Sequence, residues 1–366
     1  MNVADLLALT KERRASDLHL SVGMPPTLRI NGKLVRVEDT PLTRETLHAL
    51  ICEVLTDEQR ARFEDTHDLD LSIEMPDIGR FRVNAFMQRQ GEGMVMRRIA
   101  HEIPSLDDLQ MPKILKDLAM KDRGLVLVTG PTGSGKSTTL AAMVDHINIS
   151  RDDHVITIED PIEFVHQPKR CNINQREVGR HTQSFSTALR SALREDPDII
   201  LVGEMRDLET ISQAVTAAET GHLVLATLHT NSAAQTISRI VDVFPPHQQD
   251  QVRTQLADAL LAVVAQTLIP SLDGKGRVAA VEIMVATPAV RNLVRENKLH
   301  QLQSAIQTGA KDGMQSLDQH LKTLVKLRRI DHEEALKRAT EREAFLVDRG
   351  AGPPAPVQAG FQSRRP

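Results

Sequence analysis

The sequence of 366 residues sets 45 Lys and Arg against 49 Asp and Glu for a net charge of -4, and only 2% of it is aromatic, with neither Trp nor Tyr. That length predicts two folded units, each able to bury a core, while the charge and the missing rings disfavour a nucleic-acid surface built on stacking and phosphate contacts. Cys52 and Cys171, the two cysteines, have neither zinc-ligand spacing nor a disulfide framework, so a reducing cytoplasm is expected.

Met1 to Thr10 holds a short apolar run without a basic start or a small-residue cleavage site. No window approaches the roughly 20 apolar residues that span a bilayer, so membrane association is expected through a partner, without direct insertion. From about residue 15 the pattern is short and alternating. Asp17 to Leu20, Thr27 to Ile30 and Lys33 to Val37 read as strands, the last two joined by a turn at Asn31-Gly32. A helix follows from Arg44 to about Leu55, then period-two runs at Asp68 to Ile73, Arg80 to Phe86 and Gly93 to Ile99. Residues 1–100 thus predict a small α+β domain with an antiparallel sheet.

Periodicity lapses around Pro104 and Pro112, which places a linker at 101–116. Beyond it, apolar strands at Leu125 to Val128, Val155 to Ile158, Ile199 to Val202, Leu223 to Leu228 and Val278 to Val285 alternate with helices at Thr138 to Ile147, Phe185 to Arg194, Leu208 to Glu219 and Ala233 to Val243. Residues 117–349 therefore predict an α/β domain with a mainly parallel sheet, ending in a helical region. The last stretch, 350–366, is rich in Pro, Gly and Ala and reads as a disordered tail.

The run Gly130, Pro131, Thr132, Gly133, Ser134, Gly135, Lys136, Ser137 is a complete G-x-x-x-x-G-K-S motif between a predicted strand and a predicted helix. The glycines let backbone N–H groups wrap a polyphosphate, and the helix from Ser137 and Thr138 adds its positive end. Lys136 is expected at the β- and γ-phosphates of ATP and the Ser137 hydroxyl at Mg2+. Hydrolysis also needs carboxylates for the metal and the attacking water. The strand Asp198 to Val202 ends at Gly203-Glu204, so Glu204 stands where a Walker B acid belongs, yet Gly203 replaces the usual metal-holding aspartate. Glu163, in Glu159-Asp160-Pro161-Ile162-Glu163, is the second carboxylate and a metal ligand candidate; each acid also reads as a solvated strand-end residue. His229 closes the strand Leu223 to Leu228, where it can bond the γ-phosphate or Glu204 or serve as a structural cap; His222 opens that strand at the other edge.

Four blocks in order carry a family resemblance: Gly130 to Thr138 as Walker A, Ile158 to His166 as an Asp box, Leu193 to Asp207 as Walker B, and Gly221 to Thr230 as a His box. They resemble the secretion ATPases of the type II and type IV pilus superfamily. Ala289-Val290-Arg291-Asn292-Leu293-Val294-Arg295-Glu296 is similar to the A-I-R-N-L-I-R-E block of its pilus-retraction ATPases. Thr287 and Pro288 suit an N-cap and first helical residue there, with Ala289, Val290, Leu293 and Val294 on one face and Arg291 and Arg295 on another.

The resemblance implies a RecA-like ATPase domain behind a smaller PAS-like domain, in a hexameric ring that hydrolyses ATP with Mg2+ to withdraw pili in twitching motility. It implies a PilC-like inner-membrane platform protein as partner, a PilU-like paralogue alongside, and a place at the cytoplasmic face of the inner membrane. Arg82 and Arg97 are by resemblance candidates for arginine fingers, with Arg194 and Arg206 beside Walker B. A four-cysteine metal site and a longer N-terminal extension mark assembly and type II secretion ATPases. Neither is present in this sequence, so retraction is expected, with a PilU-like accessory ATPase or an assembly or secretion ATPase as the alternatives. A nucleic-acid motor and a nucleotide-binding scaffold without turnover are the rival classes.

Overall fold

The computed structural model describes residues 2–30, 32–99, 102–274 and 276–347. They fall into two compact units, the first made of the residues up to Val126 together with Ser137–Thr227, the second of Leu127–Lys136 and the chain from Leu228 onward. The start of the linker at His101 and the tail at 350–366 lie outside the described residues, as does Asn31 of the first turn.

The first unit begins with α1 (Val3–Glu12), β1 (Asp17–Ser21), β2 (Thr27–Ile30), β3 (Lys33–Arg36), α2 (Arg44–Val54), α3 (Asp57–Thr66), β4 (Asp68–Met75), β5 (Gly79–Gln88) and β6 (Gly91–Arg98). Its six strands pair antiparallel in the order β3-β2-β1-β6-β5-β4. Alternation sets Leu18, Leu20, Leu28, Phe81, Val83, Ala85, Met94 and Met96 on one face, all fully buried, where they pack with Val3, Leu6 and Leu7 of α1 and Leu47, Leu50 and Ile51 of α2. Fully burying one such side chain contributes about 1.5–3 kcal/mol. The register Asp17↔Arg97↔Arg82↔Ser72 runs across the other face.

Two helices here are marked at their starts by capping residues. α1 is started by a capping box in which Asn2 and Asp5 each accept the other's backbone N–H. α3 buries only Phe63; Thr56 and Gln59 cap its start, and His67 at φ 60 ends it.

The first unit continues with α4 (Ile114–Ala119), β7 (Gly124–Thr129), α5 (Lys136–Ser150), β8 (His154–Glu159), β9 (Asn172–Glu177), α6 (Phe185–Ala192), β10 (Ile199–Val202), α7 (Leu208–Glu219) and β11 (Leu223–Leu228). The first half of β7 belongs to this unit, whose second sheet has the order β7-β11-β10-β8-β9, with β9, β8, β10 and β11 parallel. β10 and β11 are buried at every residue, as a sheet covered on both faces requires.

The second unit takes the other half of β7 and adds α8 (Ala233–Asp242), α9 (Gln249–Ala259), β12 (Leu260–Pro270), β13 (Arg277–Val285), α10 (Pro288–Arg295), α11 (Leu302–Thr308), α12 (Leu317–Lys326), α13 (His332–Arg338) and α14 (Arg342–Val347). Its strands lie in the order β13-β12-β7, and β12 with β13 forms a long antiparallel hairpin from Ala262↔Val285 to Pro270↔Arg277. The sheets are therefore more mixed than the expected parallel pattern. The hairpin's far end packs Ile269, Val278 and Ala280 with Leu321, Leu324, Ala335 and Phe345. Among the described residues no helix is long and apolar enough to cross a membrane.

Candidate functional site

The phosphate-loop motif falls where β7 ends and α5 begins. Gly130, Gly133 and Gly135 have φ of 143, 78 and 86, a region that glycine enters without steric cost. A Cβ at Gly130 would stand 2.2 Å from the Gln266 carbonyl oxygen and 2.6 Å from Ser134 Oγ, and one at Gly135 would stand 2.9 Å from Gln266 Nε2. Gln266, buried on β12, donates its side-chain amide to the Ser134 carbonyl at 2.7 Å. Lys136 is buried, its ammonium donating to the carbonyls of Gly130 at 2.9 Å and Pro131 at 3.2 Å. Pro131, Thr132 and Gly133 face solvent, whereas the Ser134 hydroxyl is buried with no hydrogen-bond partner. An orphaned hydroxyl inside a glycine cradle fits a polyphosphate group. Ser137 and Thr138 occupy the first turn of α5, part-exposed.

At the end of β10, Gly203 donates its N–H to the Ile158 carbonyl at 2.8 Å. A Cβ at Gly203 would lie 3.0 Å from that oxygen and 3.2 Å from Glu159 Cα. β8 thus passes close enough that a side chain at 203 requires its backbone to give by a few tenths of an ångström. Glu204 is mostly buried, its side chain 18% exposed, and its Oε2 pairs with Arg206 Nη2 at 2.6 Å. That hydrogen bond, ahead of the charges of Glu204 and Asp160, outweighs desolvation and pushes the Arg206 guanidinium above its usual value.

The Asp-box loop after β8 sits between two further acids that sequence reasoning missed. Glu159 accepts from Thr157 Oγ1 at 2.7 Å, from Gln175 Nε2 at 3.2 Å and from the backbone N–H of Glu163. Desolvation outweighs these bonds and pushes its carboxyl up to about 7. Glu177, at the end of β9, accepts from Ser72 Oγ, Arg80 Nη2 and the backbone N–H of Ile162. Glu163 itself is exposed. No apolar period marks β9, so no sequence signal pointed to Glu177.

Arg82 and Arg97 are register partners on β5 and β6. Arg97 bonds Asp17 at 2.8 Å, while Arg82 lies 3.7 Å from Asp70, both of those side chains well exposed. Arg194 is exposed. His222 caps α7, its N–H and ring Nδ1 both at the Ala217 carbonyl, and His229 is exposed just after β11. Thr287 caps α10, with Pro288 its first residue, but the buried face is narrower than the sequence implies. Val290 and Val294 are buried, Leu293 is half-buried and Ala289 is exposed. Arg291 donates to the carbonyls of Ala257 and, at 2.7 Å, Asp258, closing the end of α9, and Arg295 pairs with Asp258 at 2.7 Å.

No group of three or more His, Cys, Asp or Glu able to hold a metal occurs among the described residues. Magnesium characteristically takes only one or two protein oxygens and completes its shell from phosphates and water.

A family model described as "Type II/IV secretion system protein" matches residues 4–337. The chain is 55% identical to the type IV pilus retraction ATPase PilT of Pseudomonas aeruginosa, over 94% of this chain and 100% of that protein. It is 45% identical to the type IV pilus ATPase PilU of the same organism, over 93% and 89%. The crystal structure of the pilus retraction motor PilT with bound ADP matches with a TM-score of 0.88 at 46% identity, covering 94% of this chain and 98% of that one. The chain belongs to the type II/IV secretion system protein family, among its pilus-retraction ATPases.

Proposed function

We propose that this chain hydrolyses ATP to drive retraction of a type IV pilus. The observation that carries the reading is the phosphate cradle, Gly130 to Lys136 with its orphaned Ser134 hydroxyl, on a chain whose likeness to PilT covers 94% of its length and exceeds its likeness to PilU. The PilU-like and secretion alternatives have the lower identity.

Lys136 leaves the Gly130 and Pro131 carbonyls for the β- and γ-phosphates, and the loop N–H groups hold the remaining oxygens. Magnesium, when bound, neutralises charge on those phosphates; the hard oxygens of Ser137 and Glu163 suit it. Glu204 accepts the proton of the attacking water, Arg82 or Arg97 offsets the charge that builds on the transferred phosphate, and His229 bonds the γ-phosphate. The working assembly is a homohexamer at the cytoplasmic face of the inner membrane, held there by a PilC-like platform protein and joined by a PilU-like paralogue.

Phosphate release by the purified chain with Mg-ATP tests the reading. Lys136→Ala abolishes turnover, and Glu204→Gln keeps ADP binding while slowing hydrolysis by about 100-fold or more, the scale of losing a general base. Turnover by Glu204→Gln near the wild-type rate sinks the assignment of the base. A particle that stays monomeric with nucleotide on a sizing column removes the ring.

A further inference from the structure

We propose that Glu177 is a positioning residue for hydrolysis, fixing the backbone of the loop that carries Glu163 and tying that loop to the β4–β5 strands. The proposal rests on the reading of Glu163 as a functional carboxylate.

The Glu177 side chain is 6% exposed and that of Arg80 13%. Ser72 Oγ donates to Glu177 at 2.9 Å and 3.1 Å to its two oxygens, Arg80 Nη2 donates to Oε2 at 2.8 Å, and the Ile162 N–H donates to the same oxygen at 3.1 Å. Arg80 also donates to Ser72 Oγ at 3.0 Å, which closes the triangle. A carboxylate this buried is stable only when paired and bonded on several sides, and three separate elements meet that demand: β4 through Ser72, β5 through Arg80, and the loop through Ile162.

The next amide along the loop, that of Glu163, is held by Glu159. The Ile162 N–H is thus pinned by Glu177 one residue before the exposed Glu163, whose own amide faces Glu159. Reaction geometry at an ångström scale depends on such support. Because Ser72 and Arg80 come from the sheet that also bears Arg82 and Arg97, the same carboxylate links the arginine-bearing strands to the Glu163 loop.

Steady-state phosphate release by the purified full chain is the test. Glu177→Gln keeps the shape and removes the charge; kcat is expected to fall about tenfold while KM for ATP stays within about twofold, since no phosphate-loop contact changes. The decisive readout is coupling. The Glu163→Gln, Glu177→Gln double variant should be no slower than Glu163→Gln alone, because nothing is then left to position. A double variant slowed by the product of the two single effects, or Glu177→Gln at the wild-type kcat, overturns the proposal while leaving Glu163 in its role. Wild-type turnover by Glu163→Gln overturns the underlying reading and the proposal with it. Ser72→Ala, which removes one hydroxyl from the triangle, makes the same comparison if Glu177→Gln does not fold; a twofold to fivefold fall in kcat that disappears in the Glu163→Gln background supports the clamp, and one that persists there overturns it.

Discussion

Placing an aspartate at position 203 would restore the usual Walker B pattern, and sequence logic alone predicts that it helps. The geometry predicts the reverse. The Gly203 backbone lies outside the left-handed region, so strain comes from contact alone. A Cβ there meets the Ile158 carbonyl oxygen at 3.0 Å and Glu159 Cα at 3.2 Å, both backbone atoms, with Glu159 Cγ at 3.7 Å. Neither backbone atom can swing aside as a side chain would, because β8 and β10 are paired through Val202↔Ile158. Making room in such a packed pair costs about 1–3 kcal/mol. At roughly 2–4 °C per kcal/mol for a domain of this size, Gly203→Ala is expected to melt about 2–12 °C below the wild type. Gly203→Asp should fall further, because it also sets a second carboxylate against Glu159, and its turnover should drop. Melting followed by circular dichroism, with phosphate release on the same preparations, checks both. If Gly203→Asp melts with the wild type and hydrolyses ATP at least as fast, the steric account of Gly203 is wrong.

Gln266→Ala removes the amide that holds the Ser134 carbonyl; at about 1 kcal/mol for one net hydrogen bond it should weaken ADP binding roughly fivefold by calorimetry, and an unchanged affinity refutes a supporting role. His320 is buried with its pKa lowered to about 4, desolvation being the main cause, and its Nδ1 accepts the Val281 N–H at 3.0 Å, a bond that only the neutral ring can make. The unfolded chain therefore binds a proton below about pH 6.5 that the folded chain refuses until about pH 4, so stability falls as pH falls through that window; urea melts at pH 7.5 and 5 should show a smaller loss for His320→Asn, whose Oδ1 can replace Nδ1 as acceptor. Burial raises the Asp17 carboxyl, but hydrogen bonds from Arg97 and Ser16 outweigh it and hold the group below its usual range. Arg97→Ala should thus lower the melting temperature, while Arg82→Ala, which loses only a loose and screened pair, should lower kcat with little change in melting. Arg291→Ala uncaps the end of α9 and should destabilise by about 1 kcal/mol, read as a shift in the urea midpoint that Arg291→Lys recovers only in part.

The elements legible in the sequence were those whose burial leaves a pattern. β10 and β11 are apolar because both faces are covered, and β1, β5 and β6 alternate because one face is. β9 escaped notice because Asn172–Glu177 contains one apolar residue in six: it is an edge strand, and its side chains are used for polar bonds instead of core. β12 was hidden differently. Ala259 ends α9 and Leu260 starts the strand with no Gly or Pro between, so the apolar stretch gave no sign of a change in period. The phosphate loop could be read because its residues are contiguous, whereas Gln266 and Glu177 meet their partners across 132 and 105 positions, a distance that no local pattern encodes.

The same geometry divides labour among the four acids around the Asp box and Walker B. Glu159 has the value that general-base chemistry favours, with its carboxyl near 7. Yet it already takes bonds from Thr157, Gln175 and the Glu163 amide, and a base must first lie within reach of the proton it removes. Glu177 is likewise committed to Ser72, Arg80 and Ile162. Glu163 is exposed, and Glu204, its own side chain 18% exposed, pairs with an Arg206 side chain that is 67% exposed. Only the arginine half of that pair faces solvent. The raised pKa of Glu159 therefore reflects its enclosure, and the proton-accepting role is proposed for Glu204, with the Glu204→Gln variant as its test.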